Sequence, residues 1–259
     1  MSLLSRLVVA TAGWALLATC ASAQTPLRVA AASDLQSVLP ALMARFERDT
    51  RHGVDVSFGS SGNFFAQLQN GAPFDLFFSA DVDYPKRLES SGLTVPGTLV
   101  EYASGRIVLW TRNDTRLDLA RGLAALAEPG VRRIAIANPE HAPYGQAAVA
   151  ALRHERLYDQ VRTKLVLGEN ISQAAQFAQS GNADAGLIAL SLALAPAMRA
   201  SGRYVDIPAS YHPPIAQAAV VLRSSRQPDV ARQFLAFLQR PESQQALQDG
   251  GFVIPPNGR

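Results

Sequence analysis

The chain has 259 residues, 48% of them hydrophobic and 17% charged, with one cysteine and a formal charge of +3 from 24 Lys and Arg against 21 Asp and Glu. That apolar fraction with so balanced a charge excludes a disordered chain, and a lone cysteine excludes an internal disulfide and a cysteine-based zinc cluster. The small excess of positive charge demands neither nucleic acid nor an acidic surface as a partner, and the length suits one large domain or two ordinary ones.

The first element in chain order is an export signal. Arg6 is followed by an uncharged stretch to Leu27, and the apolar run from Leu7 to Ala18 is too short to span a bilayer. Ala21-Ser22-Ala23 is a small-x-small cleavage site, so residues 1–23 read as a signal peptide and Gln24 as the mature start. Leu17-Ala18-Thr19-Cys20 resembles a lipoprotein box, but Thr19 departs from its pattern, which favours soluble export to the periplasm over anchoring at Cys20. Cleavage removes Arg6 and the cysteine together.

The mature chain alternates short apolar runs with amphipathic stretches. Strands are expected at Leu27–Ala32, Val54–Phe58, Asp75–Ser79, Arg106–Thr111, Arg133–Ala137, Lys164–Leu167, Ala185–Ala189 and Ile215–Leu222. Apolar residues at three- and four-residue steps predict helices at Leu35–Phe46, Ala147–Leu157, Ser172–Gln179 and Pro228–Leu238. This alternation predicts an α/β fold with a mostly parallel sheet. Crossovers near Tyr102–Arg106 and Ser210–Pro214 would divide it into a lobe of 24–104 plus 213–259 and a lobe of 105–212.

No phosphate loop, dinucleotide fingerprint, EF-hand or paired histidine spacing is present. Gly59-Ser60-Ser61-Gly62 lacks the spacing of a nucleophile elbow. Several strands instead end in small, hydroxylated residues before a helix, at Ser33, at Ser61 and in the 138–145 loop. Helix starts offer unsatisfied N–H groups and a partial positive charge, so they hold anions. Ser33 and Ser61 are each placed to cap a helix and do no more; two such loops together could also surround one tetrahedral oxyanion with neutral donors.

At these loops the sequence resembles the periplasmic molybdate-binding proteins of bacterial ABC-type transporters, the ModA family. Val29-Ala30-Ala31-Ala32-Ser33, Phe58-Gly59-Ser60-Ser61-Gly62, the run Gly71 to Asp81, Asn138-Pro139-Glu140-His141-Ala142-Pro143-Tyr144-Gly145 and Gly250-Gly251-Phe252 carry the resemblance along nearly the whole mature chain. It implies a two-lobed type II periplasmic binding protein, with two mixed sheets flanked by helices and a ligand cleft between the lobes. It further implies a molybdate or tungstate ligand, no cofactor, no catalysis, no bare-metal site, a monomer, and a membrane permease as partner. Carried over position by position, Ser33 and Ser61 give hydroxyls, and Tyr144 and Ile171 give backbone amides. The family's tyrosine hydroxyl falls to Tyr144, because Ala189 stands at the other place where members carry tyrosine.

Asp34 beside Ser33 is the awkward residue, since a carboxylate near a dianion costs about 4 kcal/mol at an effective dielectric of about 20. Its side chain is expected to turn away from the cleft. Asn63 is expected on the surface, with the cleft as the other choice. Two rival functions remain open at the level of the sequence: a receptor for another oxyanion such as sulfate or phosphate, and an exported serine hydrolase pairing Ser61 with His141.

Overall fold

The computed structural model describes residues 25–255; the expected signal segment and Cys20 lie outside the described residues. The chain begins with β1 (Leu27–Ala32), α1 (Leu39–Thr50), β2 (Val54–Gly59), α2 (Ser61–Gln69), β3 (Leu76–Ser79), α3 (Asp83–Ser90) and β4 (Val100–Gly105). It continues with β5 (Ile107–Arg112), β6 (Ile134–Ala137), α4 (Pro143–His154), α5 (Tyr158–Val161), β7 (Leu165–Gly168), α6 (Ile171–Gln179), β8 (Ala185–Ala189), α7 (Leu190–Ala193), α8 (Pro196–Ser201) and β9 (Gly202–Asp206). It returns through β10 (Ile215–Val221), α9 (Pro228–Leu238) and α10 (Pro241–Asp249).

Two five-stranded sheets result, in the orders β2-β1-β3-β10-β4 and β7-β6-β8-β5-β9. Each pairs three strands in parallel and two antiparallel to their neighbours. The expectation of a mostly parallel sheet is therefore corrected to two mixed sheets. The antiparallel edges, β4 and β9, carry too little apolar periodicity to read as strands (VEYASG and GRYVD). The chain leaves the first sheet after Gly105 and comes back to it at Ile215.

The central strands β1, β3, β6 and β8 are apolar without alternation because helices cover both faces of each sheet. On one face of the first sheet, Phe46 of α1 meets Phe234 and Phe237 of α9 edge-on at ring separations of 4.9 and 5.5 Å. The second lobe closes its own core around the fully buried Trp110.

The expected helix over Leu35–Phe46 is broken in two, a 3-10 turn at Ser33–Ser37 followed by α1. Pro40 explains the break. It has no N–H to continue the ladder, so the α-helix restarts with proline in its first turn. The start of the helix expected from Ala147 moves for a related reason: Pro143 opens α4 four residues earlier.

Candidate functional site

The carboxyl ends of β1, β2, β6 and β7 face one another across the gap between the sheets. Each leads into a helical start: Ser33 after β1, Ser61 after β2, Tyr144 in the first turn of α4, and Ile171 at the head of α6. Parallel strands of an α/β sheet leave their ligand crevice at these ends. Here all four bound one small cavity of about 10 Å³, lined also by Asp34, Gly59, Ser60 and Ala80. In this closed arrangement the space is too small for a sugar or an amino acid. No Lys, Arg or His lines it. Among the described residues, no three His, Cys, Asp or Glu side chains group to hold a bare metal ion.

Ser33 and Ser61 are not the caps that their position suggested. Ala32 and Ser60 hold the N-cap positions, and neither makes a side-chain capping bond. Ser61, buried, accepts from the Ala80 backbone N–H at 2.9 Å, and its own hydrogen has no acceptor among the described residues. Ser33 reaches the other lobe: it accepts from the Ser172 N–H at 3.3 Å and donates to Asn170 Oδ1 at 3.2 Å. The same Asn170 oxygen caps α6 through the Gln173 N–H. Tyr144 and Ile171, in the first turns of α4 and α6, carry backbone N–H groups with no place in the helical ladder.

Asp34 does not turn away into solvent. It is wholly buried and lines the cavity. Its Oδ2 accepts from the Tyr144 hydroxyl at 2.9 Å and from Gln217 Nε2 at 2.5 Å, while Oδ1 has no hydrogen-bond partner. The two donors hold it inside. Burial pushes its carboxyl up to about 6, against the opposing pull of the Gln217 and Tyr144 hydrogen bonds. Tyr144 thus spends its hydroxyl hydrogen on Asp34, and not on the cavity. Gln217 is fixed in turn by the Tyr102 hydroxyl, which donates to its Oε1 at 2.6 Å. Gly105, at the crossover between sheets, admits this cluster: a Cβ there would lie 2.1 Å from the Tyr144 hydroxyl oxygen.

The mouth of the cleft is bridged as well. The Gly62 N–H donates to the His141 carbonyl at 2.9 Å, Ser60 Oγ lies 2.9 Å from His141 Nδ1, and Asn63 donates to Glu169 at 2.5 Å. Asn63 is therefore a cleft residue, not a plain surface one. Glu169 Oε1 stands 3.7 Å from His141 Nε2. The hydroxyl that meets His141 belongs to Ser60, so the Ser61–His141 pair of the rival hydrolase reading does not form. Ser172 also donates to Gln36 at the exposed edge, and, deeper in, Ser191 donates to the Asp34 carbonyl at 2.7 Å. These bonds hold the two lobes closed.

Sequence reasoning missed Gln217, Tyr102, Ser60 and the bridging role of His141. Gln217 had a visible signal, a lone amide inside the apolar run IAQAAVV. The others depend on how two lobes meet, which no local pattern encodes.

Comparison with known proteins agrees with this architecture. The sequence profile of the family described as bacterial extracellular solute-binding protein matches residues 27–253. The molybdate-binding protein ModA of Azotobacter vinelandii is 38% identical over 251 residues, 97% of this chain and 98% of that one. ModA of Rhodobacter capsulatus is 37% identical, with 81% of each chain aligned. The solved Azotobacter vinelandii periplasmic molybdate-binding protein superposes with a TM-score of 0.84 at 36% identity, over 89% of this chain and all of that one. The chain belongs to the bacterial extracellular solute-binding protein family and, within it, to the ModA proteins.

Proposed function

We propose that this protein captures molybdate or tungstate in the periplasm and delivers it, as a monomer, to the membrane permease of an ABC transporter. One observation carries the reading: four helical starts from two lobes converge on one small cavity furnished with hydroxyls and amides but no cationic side chain. Neutral donors at helix starts stabilise an oxyanion and still let it go. The names of the ModA relatives support molybdate as the ion.

Discrimination against sulfate follows from size. Sulfate has the same charge and shape with shorter bonds, so donors fixed on two closed lobes leave its hydrogen bonds long while its desolvation cost is undiminished. Release requires the lobes to part about the two crossovers. Thermal melting of ligand-free protein with each anion tests the reading: molybdate and tungstate should raise the midpoint at concentrations where sulfate and phosphate do not, and a rise with sulfate alone would replace the ligand.

The Ser60–His141–Glu169 line invites a second reading, serine hydrolysis. It is assembled from both lobes and would come apart at every opening. A fluorophosphonate probe that labelled Ser60 would favour it; an unlabelled protein leaves these residues as a bridge across the mouth.

A further inference from the structure

Asp34 is the one carboxyl at an otherwise neutral anion cavity, and nothing in the oxyanion reading uses it. It is fully buried, it lines the cavity beside Ser33, and one of its two oxygens has no partner. The groups packed against it are Tyr144 of α4, Gln217 of β10, the backbone N–H groups of Asp34 itself and of Leu35 and, behind Gln217, Tyr102 of β4. None of them is a cation. The other titratable side chains at the lobe interface, His141 and Glu169, bridge the mouth of the cleft and do not bond to Asp34.

We propose that Asp34 is a proton-carrying specificity residue of the anion site, so that the closed cavity holds a dianion only when Asp34 is protonated and each binding event takes up one proton from solution. The balance is simple. Ionised Asp34, one proton and one dianion give the neutral acid beside the bound dianion; no other bond is made or broken. Three features support it. The unpartnered oxygen is a ready place for the proton. Burial already favours the neutral carboxyl before any anion arrives, and a dianion without a compensating cation favours it further. Finally, a proton on Oδ1 removes the charge from the carboxyl and weakens the hold of Oδ2 on the Tyr144 hydroxyl, which loosens the phenol hydrogen. The role that the resemblance gives Tyr144, donation to the ligand, then becomes compatible with its observed contact.

The inference rests on the oxyanion reading, and the experiment separates the two. Molybdate is titrated calorimetrically into ligand-free wild type and Asp34→Asn between about pH 6 and 9, in buffers of different ionisation enthalpy. Free molybdate is fully ionised throughout this range. For wild type we expect proton uptake rising from about half a proton per anion near pH 6 to about one above pH 7, where the dissociation constant rises about tenfold per pH unit. Asp34→Asn, neutral at every pH, should bind with no proton uptake and a flat profile. Wild-type binding without proton uptake overturns the inference and leaves the function standing, and so does an unchanged slope in Asp34→Asn. Failure of molybdate, tungstate, sulfate and phosphate to bind at any pH overturns the function and the inference with it. Should Asp34→Asn not fold, the wild-type proton count decides alone.

Discussion

The Tyr144 hydroxyl of one lobe donates to Asp34 Oδ2 of the other at 2.9 Å, in a contact from which water is excluded. This bond joins the head of α4 to the turn after β1, and it does so at the floor of the anion cavity. Tyr144→Phe removes one of two donors to a buried carboxylate. Hydrogen bonds to charged groups contribute about 1.5–3 kcal/mol, so the ligand-free closed form should weaken by about that much. Small-angle scattering of wild type and variant near neutral pH would register the opening. An unchanged radius of gyration with weakened molybdate binding would mean instead that the phenol serves the anion directly.

The same carboxyl makes closure depend on pH. Parting the lobes returns Asp34 to water and to its ordinary value of 3.8, whereas in the closed form it is raised to about 6. The closed form therefore binds the proton more tightly, is fully favoured below about pH 4, and loses ground as pH rises through about 6. A shift of that size is worth about 3 kcal/mol, roughly a hundredfold in the ratio of closed to open. Fluorescence transfer between dyes on the two lobes of the ligand-free protein should report this loss, and Asp34→Asn should abolish it.

Closure can also be blocked without touching the ligand donors. A Cβ on Gly62 would stand 2.6 Å from the His141 carbonyl oxygen and 2.9 Å from its Cα, both backbone atoms of the opposite lobe that cannot swing aside. Gly62 lies in the first turn of α2, where alanine is the better helix former. Gly62→Ala should therefore leave the thermal midpoint of the ligand-free protein within a few degrees and weaken molybdate binding at least tenfold. Wild-type affinity in this variant would show that the closed contact of α2 with the 138–142 loop is not needed.

Much of this was legible in the sequence because it is local. Strand ends followed by small hydroxylated residues marked Ser33, Ser61 and the loop before α4, and these do bound one cavity. What escaped depends on the meeting of the lobes. Asp34 reads as a repulsive charge until Tyr144, 110 positions later, and Gln217, 183 positions later, are brought against it. Ser33 and Ser61 read as caps until Ala32 and Ser60 take those places. Each strand missed is an antiparallel edge, β4 or β9, where half-exposed residues blur the apolar pattern.

Ser61 is the cleanest single donor to remove. Its hydroxyl accepts from Ala80 N–H and keeps a hydrogen to give, and alanine leaves the start of α2 intact. Ser61→Ala should weaken molybdate binding by about 1–3 kcal/mol, with most of the change appearing as faster release and little as slower capture. Stopped-flow measurement of both rates would check the division.

The central claim is that the closed cavity is built for a large tetrahedral oxyanion. Calorimetric titration of refolded, ligand-free protein with molybdate, tungstate, sulfate and phosphate at one pH and ionic strength tests it most directly. The account predicts one tight site for molybdate and tungstate, with sulfate and phosphate weaker by at least a hundredfold. Tight binding of sulfate with none of molybdate would contradict it.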